Sequence, residues 1–379
     1  MASPRFTCNR CTRQLSRISP SFQVQPALSR RNILACKALT SITLSHKYLR
    51  SSFHTSSGHH AEARALPTRD SFAKARFTMK DVPPRDFFVS QAKTLVPTSH
   101  NISADDIHAA VTGYAKLALS SSSDKWLKSL TTPGDKDLIH YAAICIIVSP
   151  RAPSWHLATH ILYSLVQVDY APGILTLAAV GLKSNNLDKP NFEPSTDALA
   201  RLLDRPDLTD VPEAPDACTL MGLICKKRGT EEDRALALRW FRRAYELGMP
   251  VRRAEQARGV KPAESDIWQW QTSFALSMAG IYKRRNNVEK ARPFLEMAAH
   301  DLDHNEGLTR LAIAKVDIDE VERDRMLTRA AASGNRRAAR LLGERLLKST
   351  MEEGISAREK KEREMMAEEW GRLAEDSAD

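Results

Sequence analysis

A pattern of small and bulky residues recurs along the C-terminal half of the chain, and it constrains the fold more than any other feature. Its landmarks Gly280, Ala312 and Gly343 are spaced 32 and 31 residues apart, and Gly222 precedes Gly280 by 58 because the segment 249–271 intervenes. Periods of this length are typical of stacked helical hairpins. The positions predicted to carry the packing are Gly222, Trp240, Phe241, Ala244, Gly248, Gly280, Phe294, Ala298, Ala330, Gly334 and Gly343.

The spacing of these positions predicts two antiparallel helices in each unit. Glycine and alanine let two helix backbones approach closely, and a bulky pair such as Trp240 and Phe241 fills the space between them. One hairpin cannot bury its apolar face alone, so neighbouring hairpins must stack. The alternative is a generic alanine-rich helical bundle in which the period is accidental.

The rest of the sequence also predicts helices, with no convincing run of alternating strand residues. Ser103 is a predicted N-cap, and Ile107, Val111 and Tyr114 follow at helical spacing. Residues 103–205 are expected to form an N-terminal helical region, with further helices at 135–148, 153–168, 172–183 and 195–204. A proline-rich connector at 206–216, repeats at 217–348 and a charged C-terminal helix and tail at 349–379 complete the predicted organisation.

The segment "ACTLMGLICKKRGTEEDRALALRWFRRAYELG", residues 217–248, resembles a Sel-one-like repeat of the tetratricopeptide superfamily. The two later copies resemble ordinary tetratricopeptide units with a shorter loop, and the likeness extends over about 217–347. Three positions depart from the family pattern: Cys225 replaces a tyrosine, Ala312 replaces a glycine, and the loop glycine appears only as Gly229. The resemblance implies an all-α fold, a right-handed α-solenoid of stacked helical hairpins. The composition of the N-terminal residues predicts a disordered segment before it.

Residues 1–61 have the composition of a mitochondrial transit peptide. They hold nine basic side chains, many serines and threonines, and no acidic residue before Glu62. Without them, the basic side chains that remain of the chain's 56 almost balance its 46 acidic residues, so the formal charge of +10 arises largely from this segment. A protein of the mitochondrial matrix, or of the matrix face of the inner membrane, is expected, with 62–102 as a flexible linker. A basic arm that binds RNA is the alternative.

The sequence contains no motif that predicts catalysis. It lacks a glycine-rich phosphate loop and a nucleophile elbow, and the pairs His156–His160 and His300–His304 are better explained as ordinary helix histidines than as metal ligands. Cys145, Cys218 and Cys225 are expected to be buried hydrophobes. We therefore expect no enzyme activity, no metal and no cofactor. The apolar runs are too short to span a bilayer, so membrane association is expected to be peripheral at most.

Two basic triplets are the candidate partner-binding residues. They occupy the same predicted inter-helix turn in the first and second units, so stacking would place both along one edge, joined by two arginines of the intervening segment. This edge is either a solvated surface balanced by nearby acids or a docking ridge for an acidic protein, ribosomal RNA or anionic lipid. The residues are Lys226, Lys227, Arg228, Arg252, Arg253, Lys283, Arg284 and Arg285.

The C-terminal tail carries Met366, Trp370 and Leu373 at helical spacing, a stripe that either caps the last repeat or inserts into a partner. Taken together, these patterns predict a non-enzymatic mitochondrial adaptor that binds protein partners of unknown identity, in the assembly or maintenance of a respiratory or ribosomal complex. The alternative is an RNA-associated factor of mitochondrial gene expression or translation that uses the basic edge.

Overall fold

The computed structural model describes residues 76–95, 102–121, 124–130, 133–149, 154–189, 192–260, 268–314, 318–351 and 353–375. These residues form fourteen α-helices, with no strand among them, so the all-α prediction is confirmed. The chain divides into two compact units, with the boundary between Glu213 and Ala214. The predicted transit peptide at 1–61 lies outside the described residues.

The first unit contains six α-helices. They are α1 (Arg85–Leu95), α2 (Ala104–Ser120), α3 (Pro133–Val148), α4 (Trp155–Gln167), α5 (Ala171–Lys183) and α6 (Glu193–Leu203). The four helices predicted after residue 130 are confirmed to within two residues at each end. Ser103 is the N-cap of α2, as the sequence predicted, and it forms a capping box with Asp106.

Part of the predicted flexible linker is folded. Residues Met79–Asp81 form a 3₁₀ helix whose N-cap is Thr78, and α1 follows at Arg85. The side chains of Phe77 and Phe88 are 3% and 0% exposed, and Arg85 forms an ion pair with Asp105 at the start of α2. The prolines and polar residues of this segment suggested a linker, but burial of two phenylalanines supplies the free energy that orders it.

The second unit contains eight α-helices. They are α7 (Ala214–Arg228), α8 (Glu231–Ala257), α9 (Gln271–Arg284), α10 (Val288–Glu296), α11 (Asn305–Ile313), α12 (Glu320–Ala332), α13 (Arg336–Ser349) and α14 (Ala357–Glu375). A π-helical turn, Met297–Asp301, continues α10. Consecutive helices pack against each other, and α7 also contacts α9, the corresponding helix of the next hairpin.

Two boundaries of the first hairpin differ from the sequence prediction. Helix α7 begins at Ala214, inside the predicted connector, with Pro215 in its first turn, where a missing N–H is tolerated. The buried carboxylate of Asp216 accepts hydrogen bonds from the backbone N–H groups of Gln269 (3.2 Å) and Trp270 (2.8 Å), just before α9. The connector's last residues therefore belong to the second unit.

Helix α8 continues nine residues beyond Gly248, to Ala257, although the sequence suggested that an insertion began there. Pro250 lies inside the helix, where it removes one backbone hydrogen bond. Gly248, Arg252 and Glu255 are all buried, at the i, i+4, i+7 spacing of one helix face. Burial of this face explains why the helix does not end at the proline.

Glycines of the repeat pattern lie where aromatic rings or backbones approach closely. A methyl group added to Gly222 would lie 2.7 Å from Cε1 of Phe241, and one added to Gly248 would lie 2.3 Å from Cε3 of Trp268. A methyl group added to Gly343 would lie 3.1 Å from the carbonyl oxygen of Ala367 in α14. These three glycines therefore lie at close approaches between elements of the second unit.

Three predicted packing residues have other surroundings. Trp240 is only partly buried, whereas its neighbour Phe241 is 0% exposed, because the helix turns the two rings to different faces. No atom lies within 4 Å of a methyl group added to Gly280. Gly334 is exposed and has φ +83°, so it ends α12 as a turn residue instead of packing between helices. Sequence spacing alone does not separate these roles.

The remaining predicted packing residues lie in or beside the interior of the second unit. Ala244, Ala298 and Ala330 are 0% exposed, and Phe294 is partly buried. One continuous apolar core runs from Ala279 in α9 to Ala374 in α14, through the second, third and fourth hairpins. Since this core crosses hairpin boundaries, burial in the second unit depends on neighbouring hairpins.

The C-terminal helix α14 packs against α13 through only part of the stripe that the sequence suggested. Met366 and Leu373 are 48% and 54% exposed, whereas Ala367 and Ala374 are 5% and 7% exposed. Trp370 is partly buried beside the core. The buried face contains Ala367 and Ala374, each of which follows a bulky residue of the stripe. Their small side chains allow α14 to approach Gly343 closely.

None of the described helices is long and apolar enough to cross a bilayer.

Substitution of the two neighbouring aromatic residues tests the register of α8. Phe241→Ala is expected to reduce the free energy of unfolding by about 3–5 kcal/mol because a fully buried ring leaves a cavity. Trp240→Ala is expected to cost about 1 kcal/mol, since its ring already contacts water. Urea denaturation followed by circular dichroism measures both, and a larger loss for Trp240→Ala would contradict the register.

Two helix glycines test close packing directly. Gly248→Ala is expected to destabilise the protein by about 1–3 kcal/mol because its methyl group overlaps Trp268. Gly280→Ala is the matched control and is expected to stabilise by about 0.5–1 kcal/mol, since alanine restricts the unfolded chain and meets no neighbour. The same denaturation measurement applies, and opposite signs for the two substitutions are the expected result.

Candidate functional site

The two predicted basic triplets end helices α7 and α9. Lys226, Lys227 and Arg228 form the last turn of α7, whereas Lys283 and Arg284 end α9 and Arg285 is its C-cap. All are exposed except Lys226, which is partly buried. Positive side chains at helix C-termini are favoured by the helix dipole, which gives these positions a structural reason in addition to any role in binding.

The structure brings part of each triplet together in one cleft. The basic cleft is defined by Lys226 of α7, Glu231 and Arg234 of α8, and Arg284 and Arg285 at the end of α9, and its volume is about 370 Å³. Ala237 and Ile281 line it as well. Lys227, Arg228 and Lys283 do not line this cleft. The predicted linear ridge is therefore partly replaced by a concave site.

Lys226 extends toward the neighbouring hairpin instead of into solvent. Its ammonium group donates a hydrogen bond to Ser277 Oγ of α9, with 3.0 Å between the two atoms. Burial lowers the pKa of Lys226, and repulsion by Arg284 and Arg310 lowers it further. The Lys226 ammonium group in this site is therefore partly desolvated.

Arg252 does not belong to the exposed basic edge. Its side chain is 5% exposed and forms an ion pair with Asp301 of the π-helical turn after α10. Continuation of α8 past Pro250 places Arg252 on the buried face with Gly248. Of the two predicted partner-binding arginines, Arg252 and Arg253, only Arg253 is exposed.

A second concave surface, which the sequence pattern did not reveal, lies between α8, α9 and α10. The aromatic groove is defined by Tyr245, Met278, Tyr282 and Phe294, and its volume is about 450 Å³. Charged residues of both signs lie at its edge, namely Arg242, Glu246, Glu289 and Lys290. The only sequence signal was an aromatic residue on the otherwise charged face of α8.

The rings of the aromatic groove hold each other in place. Tyr245 stacks on Phe274 with 6.0 Å between ring centroids, and it meets Phe294 edge-on at 6.1 Å. Tyr282 stacks on Phe294 at 5.8 Å. Even so, 40% of Tyr245 is exposed. The groove therefore presents a preorganised aromatic surface to solvent.

The histidines of the first unit serve internal hydrogen bonding. His160 is 9% exposed, and its Nδ1 lies 2.5 Å from the hydroxyl oxygen of Tyr114, which also lies 2.8 Å from Ser164 Oγ. His140 Nε2 lies 2.8 Å from Thr176 Oγ1, and burial lowers the pKa of His140 to about 3. Of the pair His156 and His160, only His156 is exposed. The described residues contain no group of three or more potential metal ligands.

The three cysteines of the folded region are buried, as predicted. Burial raises the pKa of the thiols of Cys145 and Cys218 to about 12. Both thiols therefore remain protonated at neutral pH, where the thiolate is the reactive form.

No protein-family model, curated protein or solved structure matches the chain.

Proposed function

We propose that the protein is a non-enzymatic mitochondrial adaptor whose second unit binds a segment of a partner protein in the aromatic groove. The observation that carries this proposal is the 40% exposure of Tyr245 in a groove that also holds Met278, Tyr282 and Phe294. Tyrosine, phenylalanine and methionine are enriched at the buried centres of protein interfaces. A bound segment would cover an aromatic surface that helix packing leaves open.

The charges at the groove edge favour a partner segment with an apolar anchor flanked by polar groups. Arg242 and Lys290 can pair with carboxylates, whereas Glu289 can pair with a basic side chain. Glu246 already forms an ion pair with Arg243, 3.4 Å apart. This arrangement, an apolar centre inside a polar rim, resembles the anatomy of a protein interface.

Stacked hairpins would suit the second unit to this role. We propose that α7–α14 form the right-handed α-solenoid to which the Sel-one-like resemblance points. Contact between α7 and α9, and the core shared from α9 to α14, support this arrangement. Assembly or maintenance of a respiratory or ribosomal complex is the role we infer, because a helical adaptor contributes by holding partners together.

The mitochondrial compartment is inferred from the composition of residues 1–61. Deletion of these residues is expected to abolish mitochondrial location because their positive charge is drawn inward by the membrane potential. Replacement of their nine basic side chains by glutamine is the matched variant and should have the same effect. Cell fractionation measures both, and mitochondrial retention of either variant would contradict import through this segment.

Binding in the groove is tested by placing a photo-crosslinking amino acid at Tyr245 in the full chain and identifying what it captures. Leu347 is the matched control position, since it is 48% exposed on α13, outside the groove. The captured protein is then purified and its affinity measured. Tyr245→Ala is expected to raise the Kd by about 30-fold, the loss typical of a hot-spot residue.

Two further variants separate binding from folding. Lys290→Glu changes only an exposed side chain at the groove edge, and it should also weaken binding of the captured partner. Leu347→Ala should leave the Kd unchanged. Circular dichroism of each variant checks that it is folded. If the purified partner binds Tyr245→Ala and Lys290→Glu as tightly as the unaltered chain, the groove is not its binding site.

A further inference from the structure

The basic cleft carries more positive charge than its own acidic side chain can balance. Four cationic side chains and one carboxylate line it, and that carboxylate, Glu231, already forms an ion pair with Arg234 at 3.1 Å. Within the described ranges, neither Arg284 nor Arg285 has a carboxylate at ion-pair distance. Lys226, Arg284 and Arg285 therefore line the cleft with no ion-pair partner among the described residues.

The surroundings of Lys226 make this imbalance costly. Its ammonium is partly buried, and its hydrogen-bond partner, Ser277 Oγ, is neutral. Arg310 is balanced by Glu306 at 2.6 Å, whereas Arg284 has no such partner in the described part of the chain and repels Lys226. A buried cation beside another cation is stabilised when an anion binds between them, because desolvation strengthens the attraction.

We propose that the basic cleft binds the phosphate group of a small phosphorylated molecule, held by Lys226, Arg284 and Arg285. A phosphate group offers several acceptor oxygens and up to two negative charges, which match one ammonium and two planar guanidinium groups. The cleft of about 370 Å³ is at the lower end of the range for small-molecule sites. Ala237 and Ile281 supply an apolar wall for the part of the ligand attached to the phosphate.

The geometry favours a small phosphorylated molecule over RNA. An RNA-binding surface combines a charged track for several phosphates with aromatic side chains that stack on bases. None of the side chains that line the cleft is aromatic, and the exposed ring of Tyr245 belongs to the aromatic groove. This site is independent of the proposed adaptor function, because it uses none of the residues that define that groove.

Titration calorimetry on the full chain with pyrophosphate tests the site, and a sodium chloride series of equal ionic strength controls for nonspecific charge. Saturable binding is expected, competed by inorganic phosphate. Arg284→Gln and Lys226→Met should each raise the Kd about tenfold or more, since each removes a charge-assisted hydrogen bond. Lys283→Gln, an exposed neighbour that does not line the cleft, is the matched control and should change the Kd less than about twofold.

Three outcomes would overturn the proposal. They are the absence of saturable binding beyond the sodium chloride series, an equal loss of affinity in Lys283→Gln, and tight binding of a single-stranded oligonucleotide that pyrophosphate does not compete. An equal loss in Lys283→Gln would mean that pyrophosphate binds to diffuse surface charge. Oligonucleotide binding that pyrophosphate does not compete would indicate a nucleic-acid-binding surface. Circular dichroism of Arg284→Gln and Lys226→Met ensures that a lost signal reflects lost binding in folded protein.

Discussion

The close packing of aromatic rings against helix glycines is the constraint on which the second unit depends. Phe241 lies over Gly222 within the first hairpin, and Trp268 lies over Gly248, which ties the segment before α9 to α8. A side chain at either glycine would occupy the space of the ring, and densely packed interiors transmit such overlaps as backbone shifts. The positions of α7, α8 and α9, and with them both concave sites, follow from these contacts.

Both sites lie where one hairpin meets the next. The basic cleft uses the ends of α7 and α9 together with the first turns of α8, and the aromatic groove uses α8, α9 and α10. Helix ends collect basic residues because they stabilise the helix dipole. Stacking then brings together charges that are far apart in sequence. Lys226 and Arg284, which each have an ordinary reason to end a helix, become neighbouring cations for which the described residues supply no ion-pair partner.

The sequence predicted secondary structure better than it predicted the surroundings of individual residues. Helix ends in the first unit were predictable because prolines and the Ser103 cap act through local backbone geometry. The 3₁₀ helix and α1 were missed because their order depends on burial of Phe77 and Phe88, which local composition does not reveal. Glycines of the same repeat pattern therefore have different surroundings: Gly248 packs against a ring, Gly280 has open space, and Gly334 ends a helix.

Sequence patterns alone predict that the folded region is helical, that small and bulky residues recur at a regular spacing, and that basic residues gather near two helix ends, because these properties depend on neighbours along the chain. Three other features follow from contacts between helices: Arg252 is buried beside Asp301, Lys226 lies in a cleft, and Tyr245 stays exposed among other rings. The physical reason is that burial and charge balance depend on distances between separate helices. Periodicity specifies which face of a helix is apolar, but not which residues of another helix meet it.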